Sequence, residues 1–223
     1  MKKIGILVAM GSEWAPLGSM AETLTETEVF GKRVFTGSMA GRPFAACISG
    51  VGKVAAAIGV MALYRAFNPD VILNAGVAGG LGVMPRGSAV VAGDVWQHDF
   101  DTTAAGDEPG LYVGRTDDAL SERLLAVTGG VRGTVATGDI FVADPVRAAY
   151  IRDKFGAAVC EMEAAAAMEA ARALAIPFAA VKYVSDGANE SAGSDFGANT
   201  GSLAECLARD IYAFMSSEKG GRG

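Results

Sequence analysis

Acidic side chains stand at several points where short apolar segments end, and they are the residues best suited to acid–base chemistry. Glu13 follows the first apolar run, Glu161 and Glu163 flank a predicted strand–helix junction, and Asp186 ends the last apolar run. Because ligands of α/β proteins collect beyond the carboxyl ends of strands, we expect these acids to converge on one cleft. Burial beside methionine and alanine raises the pKa of a carboxyl group towards the range of a general acid. The alternative interpretation, in which each acid caps a helix or lies in a solvated turn, stays open at this point.

Two glycine-rich segments are similar to nucleotide-binding loops, but neither fits the pattern. Segment 50–53 ends in Gly-Lys, yet Cys47 occupies the position of the first P-loop glycine and Val54 replaces the required serine or threonine. Segment 76–82 lacks the G-x-G-x-x-G spacing of dinucleotide-binding proteins. We interpret segment 76–82 as tight packing or as backbone that a ligand approaches closely.

The residues that could serve metal or sulfur chemistry are few. His98 is the one histidine, and although Asp99 and Asp101 follow it, we expect a structural network or a dimer contact there rather than a metal site. The three cysteines are far apart and form no C-x-x-C motif, which is typical of buried thiols in a reducing compartment. The sequence therefore predicts a cytoplasmic protein without metal, disulfide or cofactor.

Size and composition limit the domain organisation and the partners. The chain has 223 residues, 51% of them hydrophobic, and its 19 basic and 25 acidic side chains give a net charge of −6. A chain of this length can bury a full core, so we expect a single domain over residues 1–223. The acidic balance argues against a nucleic-acid partner. No run of about 18 apolar residues is present to span a membrane.

Short apolar runs alternate with longer helical segments, which is typical of an α/β fold. The predicted strands are 3–9, 33–38, 43–48, 71–75, 89–95, 131–137, 157–161 and 178–185. The predicted helices are 53–67, 117–128, 145–155, 163–175 and a last one that a capping box at Ser202 and Glu205 opens and that ends near Ser217. Residues 97–116 are polar, and we expect a long loop there. The alternation predicts a three-layer sandwich around a central mixed, largely parallel twisted sheet.

Seven short motifs follow one another over most of the chain. They are IGILVAM-x-x-E (4–13), SGVGKVAAA (49–57), PDVILNAG-x-AGGL (69–81), HD-x-D-x-TA (98–104), GD-x-F (138–141), EMEA-x-A (161–166) and VSD (184–186). Each is weak alone, but the ordered set resembles the 5′-methylthioadenosine/S-adenosylhomocysteine nucleosidases of the purine nucleoside phosphorylase family. The resemblance implies the nucleoside phosphorylase fold and hydrolysis of the N-glycosidic bond of either nucleoside to adenine and a 5-thioribose product. It also implies a homodimer in which loop 97–112 lies near the partner's pocket.

The resemblance further implies a role for each candidate site residue. Asp186 and Glu13 are the implied catalytic residues: Asp186 protonates N7 of the purine, and Glu13 positions and activates the hydrolytic water. Glu163 binds the ribose 2′- and 3′-hydroxyls. The implied substrate-binding set also contains Met162 against the sugar, Phe141 stacked on adenine, Val142 with its backbone at the adenine edge, Ser185 holding Asp186, and Met10, Val51, Phe196 and Val77 along the remaining wall.

The first loop favours hydrolysis over phosphorolysis. Cleavage of an N-glycosidic bond needs a proton donor for the leaving base and a carboxylate that faces the water. A phosphorylase needs cationic or N–H donors at the anomeric carbon, whereas residues 10–14 contain no arginine or lysine and include Glu13. The enzyme alternatives are a purine nucleoside phosphorylase and a nucleosidase for another 5′-modified purine nucleoside, such as an aminofutalosine-like one. The non-enzyme alternative is a nucleoside-binding protein, which would require neither Glu13 nor Asp186.

Four features depart from the pattern of these nucleosidases, and the first is that Gly11 and Ser12 precede a single Glu13 where consecutive acids are common. Val77 stands where serine is common, and Lys182 stands where arginine is usual. Residues 105–109 lack the aromatic side chains that this loop typically lends to the neighbouring subunit's 5′ pocket. We therefore expect intact ribosyl and purine sites, while the preferred 5′-substituent stays open.

Overall fold

The computed structural model describes residues 2–82 and 84–217, in which strands and helices alternate. The strands are β1 (Ile4–Val8), β2 (Thr23–Val29), β3 (Lys32–Met39), β4 (Arg42–Ile48), β5 (Val71–Gly80), β6 (Ala89–Gln97), β7 (Leu111–Arg115), β8 (Val131–Thr137), β9 (Ala157–Glu161) and β10 (Phe178–Asp186). The helices are α1 (Gly11–Gly18), α2 (Lys53–Phe67), α3 (Asp118–Thr128), α4 (Pro145–Phe155), α5 (Ala164–Ala173) and α6 (Ala192–Ser216), and a 3-10 turn spans Thr103–Ala105. None of these helices is long and apolar enough to cross a membrane.

The strands of the described residues form one mixed sheet. Strands β5, β10, β6, β8 and β9 pair in a closed circuit, and β1, β4, β3 and β2 extend the sheet outward from β5. Strands β4, β1, β5 and β10 run parallel to one another, so their carboxyl ends lie at one edge. Strand β9 meets β5 in antiparallel register only at Gly79 and Gly80, which places its carboxyl end beside that edge. The predicted mixed α/β sheet is confirmed.

Helices cover both faces of the sheet. Helices α1, α3 and α6 pack on one face, and α2 and α5 pack on the other. Within β1, Ile4, Ile6 and Val8 belong to the first core and Leu7 belongs to the second. Side chains of a strand alternate between faces, so a strand covered on both sides is apolar throughout. This arrangement is the predicted three-layer sandwich.

Two predictions about strands are wrong: the loop predicted over residues 97–116, and the end of the strand predicted over residues 71–75. Residues 97–116 were expected to be a loop, but they contain β7, which pairs with β6 and is fixed by a 2.8 Å hydrogen bond from Tyr112 Oη to Asp94. Segment 76–82 is mostly strand, because β5 continues to Gly80. A Cβ atom at Gly79 would lie 3.1 Å from the carboxylate of Asp186 and 3.3 Å from Cys160 Sγ. Glycine there lets β9 and β10 approach β5 closely.

The start of the last helix also differs from the prediction. Helix α6 begins at Ala192, not at Ser202, so the predicted capping box lies in its interior. Ser202 Oγ donates to the carbonyl of Asn199 (3.0 Å), one turn back in the helix. A Ser-x-x-Glu pattern is equally compatible with an exposed helix face, and the Gly- and Asn-containing turns before it hid the true start. Helix α1 and strand β2 had no predicted counterpart.

Candidate active site

One cavity of about 250 Å³ lies at the carboxyl ends of β1, β5, β9 and β10. Its volume is just below the roughly 300–1,000 Å³ that is usual for small-molecule sites. The structure brings all eleven predicted site residues to its wall: Met10, Glu13, Val51, Val77, Phe141, Val142, Met162, Glu163, Ser185, Asp186 and Phe196. The wall also contains Ala9, Ala78, Gly79, Ile140 and Cys160, which were not predicted, and Glu161, which was expected at the cleft but was given no role.

Glu13 is held at one end of the cavity by backbone donors. Its carboxylate accepts hydrogen bonds from the N–H groups of Ala9 (3.0 Å), Met10 (2.9 Å) and Val77 (3.1 Å). The bond from Met10 caps the start of α1, and the bond from Val77 joins that helix to β5. Glu13 is 2% exposed, and this burial raises its pKa, although the charge of Lys182 and the N–H bonds act to lower it. The upward shift in pKa that was expected for acids in apolar surroundings is therefore present at Glu13.

Asp186 lies at the end of β10 and is almost fully buried. Its carboxylate accepts hydrogen bonds from Ser185 Oγ (2.8 Å) and from the N–H of Ala188 (2.9 Å). Ala188 has φ +50°, a left-handed conformation that is uncommon for a residue with a Cβ atom. The bond from Ala188 is a turn contact of the kind that the non-catalytic interpretation predicts, and the same carboxylate also lines the cavity.

Three acids surround a single buried ammonium group. Lys182 Nζ lies 2.7 Å from Glu161 Oε2 and 3.7 Å from Glu163 Oε2, and the charge of Glu13 also acts on it. Burial lowers the pKa of Lys182, but these carboxylates outweigh it and the net shift is upward. Burial raises the pKa of Glu163 to about 7 against the opposing charge of Lys182. Since one ammonium group faces three acids, the negative charges of Glu161 and Glu13 add to the effect of burial in raising the pKa of Glu163.

Glu161 differs from the other acids of this cluster in its hydrogen-bond partners. Its carboxylate accepts hydrogen bonds from the N–H groups of Glu163 (3.1 Å) and Ala164 (2.9 Å) and from the hydroxyl of Thr137. It therefore caps the first turn of α5 and forms an ion pair with Lys182 at the same time. For this acid the structural interpretation, a helix cap, is the correct one. A lysine inside the apolar run FAAVKYVS signals a buried ion pair, because an unpaired ammonium group would not be buried there.

Apolar side chains form the opposite wall. The rings of Phe141 and Phe196 meet edge to face with centroids 5.7 Å apart. Phe141 is 47% exposed and Val51 is 52% exposed, whereas Val142 is buried. Two aromatic rings at a partly open mouth leave an aromatic face free to contact a planar ligand. The sulfur of Cys160 lies deeper, and burial raises the pKa of this thiol to about 12, so it is not a nucleophile at neutral pH.

Residues 97–112 contribute nothing to the wall of this cavity within their own chain. His98 is 8% exposed, and its Nε2 has no hydrogen-bond partner among the described residues. Burial lowers the pKa of His98, so the ring is neutral at physiological pH. Asp99 contacts Lys53 and Asp139, so a polar network lies beside the histidine, but the Nε2 atom of His98 is not part of it.

Comparison with known proteins places the chain in a family. The family model described as "Phosphorylase superfamily" matches residues 3–215. The chain belongs to the phosphorylase superfamily. Among curated relatives, the 5′-methylthioadenosine/S-adenosylhomocysteine nucleosidase of Shewanella piezotolerans is 36% identical over 207 residues, which cover 87% of this chain and 90% of that protein. This identity confirms the resemblance that the ordered motifs indicated.

Solved structures agree with the sequence relatives. The S-adenosylhomocysteine nucleosidase of Streptococcus pyogenes, in complex with 5-methylthiotubericidin, is 31% identical and superposes with a TM-score of 0.91, covering 97% of each chain. A futalosine hydrolase mutant of Helicobacter pylori is 25% identical with a TM-score of 0.92, covering 97% of this chain and all of that one. The nucleoside phosphorylase-like fold is therefore confirmed.

Proposed function

We propose that this protein is a purine nucleosidase that hydrolyses the N-glycosidic bond of 5′-methylthioadenosine, S-adenosylhomocysteine or both. The products are adenine and the corresponding 5-thioribose. The observation that supports this most is that Asp186, Glu13 and Glu163 all line one cavity. Relatives named for this activity share about a third of the sequence over most of the chain.

Asp186 acts as the general acid for the leaving base in this proposal. Departing adenine develops negative charge, and a proton delivered to N7 neutralises it. Two hydrogen bonds, from Ser185 Oγ and from the N–H of Ala188, fix the direction of the carboxyl group. Phe141 would stack on the adenine, and the backbone of Val142 would contact its edge. A ring held in one plane keeps N7 in line with Asp186.

Glu13 orients the attacking water in its carboxylate form. Both of its oxygens accept hydrogen bonds from rigid backbone, so the carboxylate cannot swing away from the sugar. Glu163 binds the ribose hydroxyls, where a negative charge also favours the developing oxocarbenium ion. Its second contact, a 3.1 Å hydrogen bond from the N–H of Gly52, holds it against the cavity. Met162 and Met10 would pack against the sugar and its 5′ substituent.

The cavity favours water over phosphate as the nucleophile. Its lining residues in the described part of the chain include no arginine or lysine, and the nearest buried cation, Lys182, already faces Glu161 and Glu163. A phosphate ion would therefore meet carboxylates without a free cationic partner. Hydrolysis is the reaction that this charge distribution supports.

Adenine release from a panel of nucleosides in phosphate-free buffer tests the proposed substrates. We expect release from methylthioadenosine and S-adenosylhomocysteine at a kcat/KM at least tenfold above that for adenosine. Aminofutalosine belongs in the panel, because a solved relative is named a futalosine hydrolase and residues 105–109 are polar. A higher kcat/KM for aminofutalosine would mean that the protein is a nucleosidase for that nucleoside and not for the two proposed thioether substrates. If no nucleoside of the panel released adenine, the nucleosidase assignment would be refuted.

We propose that the active form is a homodimer. Helix α2 exposes an apolar stripe at three- to four-residue spacing, formed by Val54 (72% exposed), Ile58, Met61 and Tyr64. Such a continuous apolar surface is rare on a monomer. Loop 97–112 also exposes aromatic side chains, Phe100 and Tyr112, and would lie near the partner's pocket. Light scattering should give about twice the 22.7 kDa of one chain, and a fully active monomer would contradict the proposal.

A cytoplasmic location also stays a proposal. Three free cysteines, two of them buried, support a reducing compartment. Fractionation of cells that produce the protein at native level checks it, and recovery of the protein outside the cytoplasmic fraction would contradict it.

A further inference from the structure

A polar network joins three segments that are far apart in sequence. Asp99 Oδ1 lies 2.7 Å from Lys53 Nζ, and Asp99 Oδ2 accepts a 2.8 Å hydrogen bond from the N–H of Asp139. Asp139 Oδ1 in turn accepts a 2.7 Å hydrogen bond from the N–H of Lys53. Gln97 is a further acceptor for Lys53 Nζ, at 3.2 Å. The three residues Lys53, Asp99 and Asp139 thus form a closed set of contacts, which we call the 53–99–139 network.

The network is adjacent to the carboxylate that is proposed to bind ribose. The N–H of Gly52 donates to Glu163 Oε1 (3.1 Å), and the next N–H, that of Lys53, donates to Asp139. Two consecutive backbone N–H groups at the start of α2 therefore each donate to a carboxylate, the first to that of Glu163 and the second to that of Asp139. Gly52 has φ +102°, and a Cβ atom there would lie 2.9 Å from Asp139 Oδ1. Only glycine lets the backbone present both N–H groups in this geometry.

The same network fixes the wall of the cavity on its base side. Two lining residues of the cavity are close to the network in sequence. Phe141 lies two residues after Asp139, and Val51 lies two residues before Lys53. The ion pair is sheltered, because the side chains of Lys53 and Asp99 are only 19% and 15% exposed. Burial alone raises the pKa of Asp99, but the bonds from Lys53 and from the N–H of Asp139 outweigh it and lower the pKa. Asp99 is therefore ionised at neutral pH.

We propose that Lys53, Asp99 and Asp139 are positioning residues that hold Glu163 and the Phe141 wall in one fixed geometry. This inference rests on the proposed function, in which Glu163 binds the ribose and Phe141 binds the base. Sugar and base must be held together while the bond between them breaks, and a misplacement of about 1 Å can cost roughly 100-fold in rate. The network supplies a direct connection between the two subsites, and through Asp99 it connects them to loop 97–112.

The groups that face Glu163 determine how its titration reports on the network. Lys182 on β10 lowers its pKa, whereas Glu161 on β9 and Glu13 on α1 raise it. The hydrogen bond from Gly52 also lowers it. When that bond is lost and the other three groups stay in place, the pKa of Glu163 must rise. Its titration therefore measures the position of Gly52 without any turnover.

Asp139→Ala removes the acceptor that holds the N–H of Lys53, whereas Asp139→Asn keeps an acceptor oxygen there. Asp117→Ala is the matched control, because Asp117 accepts the N–H of Leu120 (2.9 Å) at the start of α3, away from the cavity. Each protein is measured for kcat/KM on methylthioadenosine, for melting temperature, and for the pKa of Glu163 by ¹³C carboxyl NMR. Glu163→Gln assigns the resonance.

Asp139→Ala should lower kcat/KM by about 10- to 100-fold and raise the pKa of Glu163. Asp139→Asn should restore most of both values, and Asp117→Ala should lose stability without either change. An Asp139→Ala protein that melts earlier but keeps its kcat/KM and its Glu163 pKa would overturn the inference. If the wild type releases no adenine, the proposed function fails, and the NMR titration alone then decides whether the network positions Glu163.

Discussion

At the scale of single residues, Asp186 is the group on which the proposed chemistry depends most. Asp186→Asn keeps an oxygen for the N–H of Ala188 and can form a hydrogen bond with Ser185, but it cannot donate the proton of a carboxylic acid. We expect kcat to fall by about 10²–10⁴-fold, the usual contribution of general acid catalysis. The dissociation constant of a non-hydrolysable nucleoside analogue should change by less than about fivefold, because a transition-state contact has been removed. A destabilised variant with normal kcat would instead make Asp186 a turn residue.

Lys182 gives a second prediction at this scale. Lys182→Met leaves Glu161 buried without its ion pair, and breaking a buried pair typically destabilises a protein by about 3–5 kcal/mol. Lys182→Arg, which keeps the charge, should retain most of the stability. The double variant Lys182→Met/Glu161→Gln should recover part of the loss, since the carboxylate that lies nearest the ammonium group is then removed as well. Urea unfolding measures all three, and a Lys182→Met protein as stable as the wild type would contradict the importance of the pair.

The sequence predicted which residues line the cavity, but it did not predict the ion pair that Glu161 forms there. Glu13, Glu163 and Asp186 follow apolar runs, so their convergence was predictable from the carboxyl-end rule. Their assignment to water, ribose and base came from the resemblance to nucleosidases and stays a proposal. The pairing of Lys182 with Glu161 was not predicted, because the two residues lie on β10 and β9, which do not pair with each other directly. Only the closure of the sheet brings them together.

At the scale of elements, the second half of β5 determines how closely the elements that carry Glu13 and Asp186 approach this strand. A Cβ atom at Gly76 would lie 2.7 Å from Glu13 Oε1. Gly76→Ala should therefore displace the Glu13 carboxylate and lower kcat/KM by at least tenfold, with a smaller effect on melting temperature. Gly193→Ala is the control, because a Cβ atom there meets nothing within 4 Å. If Gly76→Ala kept the kcat/KM of the wild type, the reaction would not depend on the position of the Glu13 carboxylate seen in this structure.

Elements with strong periodicity were predictable, and elements defined by tertiary contact were not. Helices α2 and α4 begin and end where the sequence indicated, since Asn68 follows α2 and Asp144–Pro145 opens α4. Strand β7 was missed because it is short and follows a polar segment, although Tyr112 and Val113 favour a strand, and its pairing with β6 is a tertiary contact. The early start of α6 was missed because glycine and asparagine disfavour a helix locally, while packing of its later turns stabilises it.

At the scale of the whole molecule, the buried acids make stability depend on pH. The folded state raises the pKa of Glu163 to about 7, from 4.5 in the unfolded chain. Between these values the folded protein keeps a proton that the unfolded chain releases, so this group's contribution is fully present below pH 4.5 and is lost as the pH rises towards 7. Urea unfolding at pH 5 and pH 7.5 should show a smaller decrease for Glu163→Gln than for the wild type. Equal decreases would mean that Glu163 titrates normally.

The claim that the molecule is a hydrolase rather than a phosphorylase is tested most directly by one measurement. Initial rates of adenine release from methylthioadenosine are recorded in phosphate-free buffer and with added phosphate, and the sugar product is identified by ³¹P NMR. Because carboxylates and no arginine or lysine line the cavity in the described part of the chain, and Lys182 is already paired, the rate should be the same with and without phosphate, and the sugar should carry no phosphorus. A rate that rises in proportion to phosphate, with a sugar 1-phosphate as product, would contradict the account.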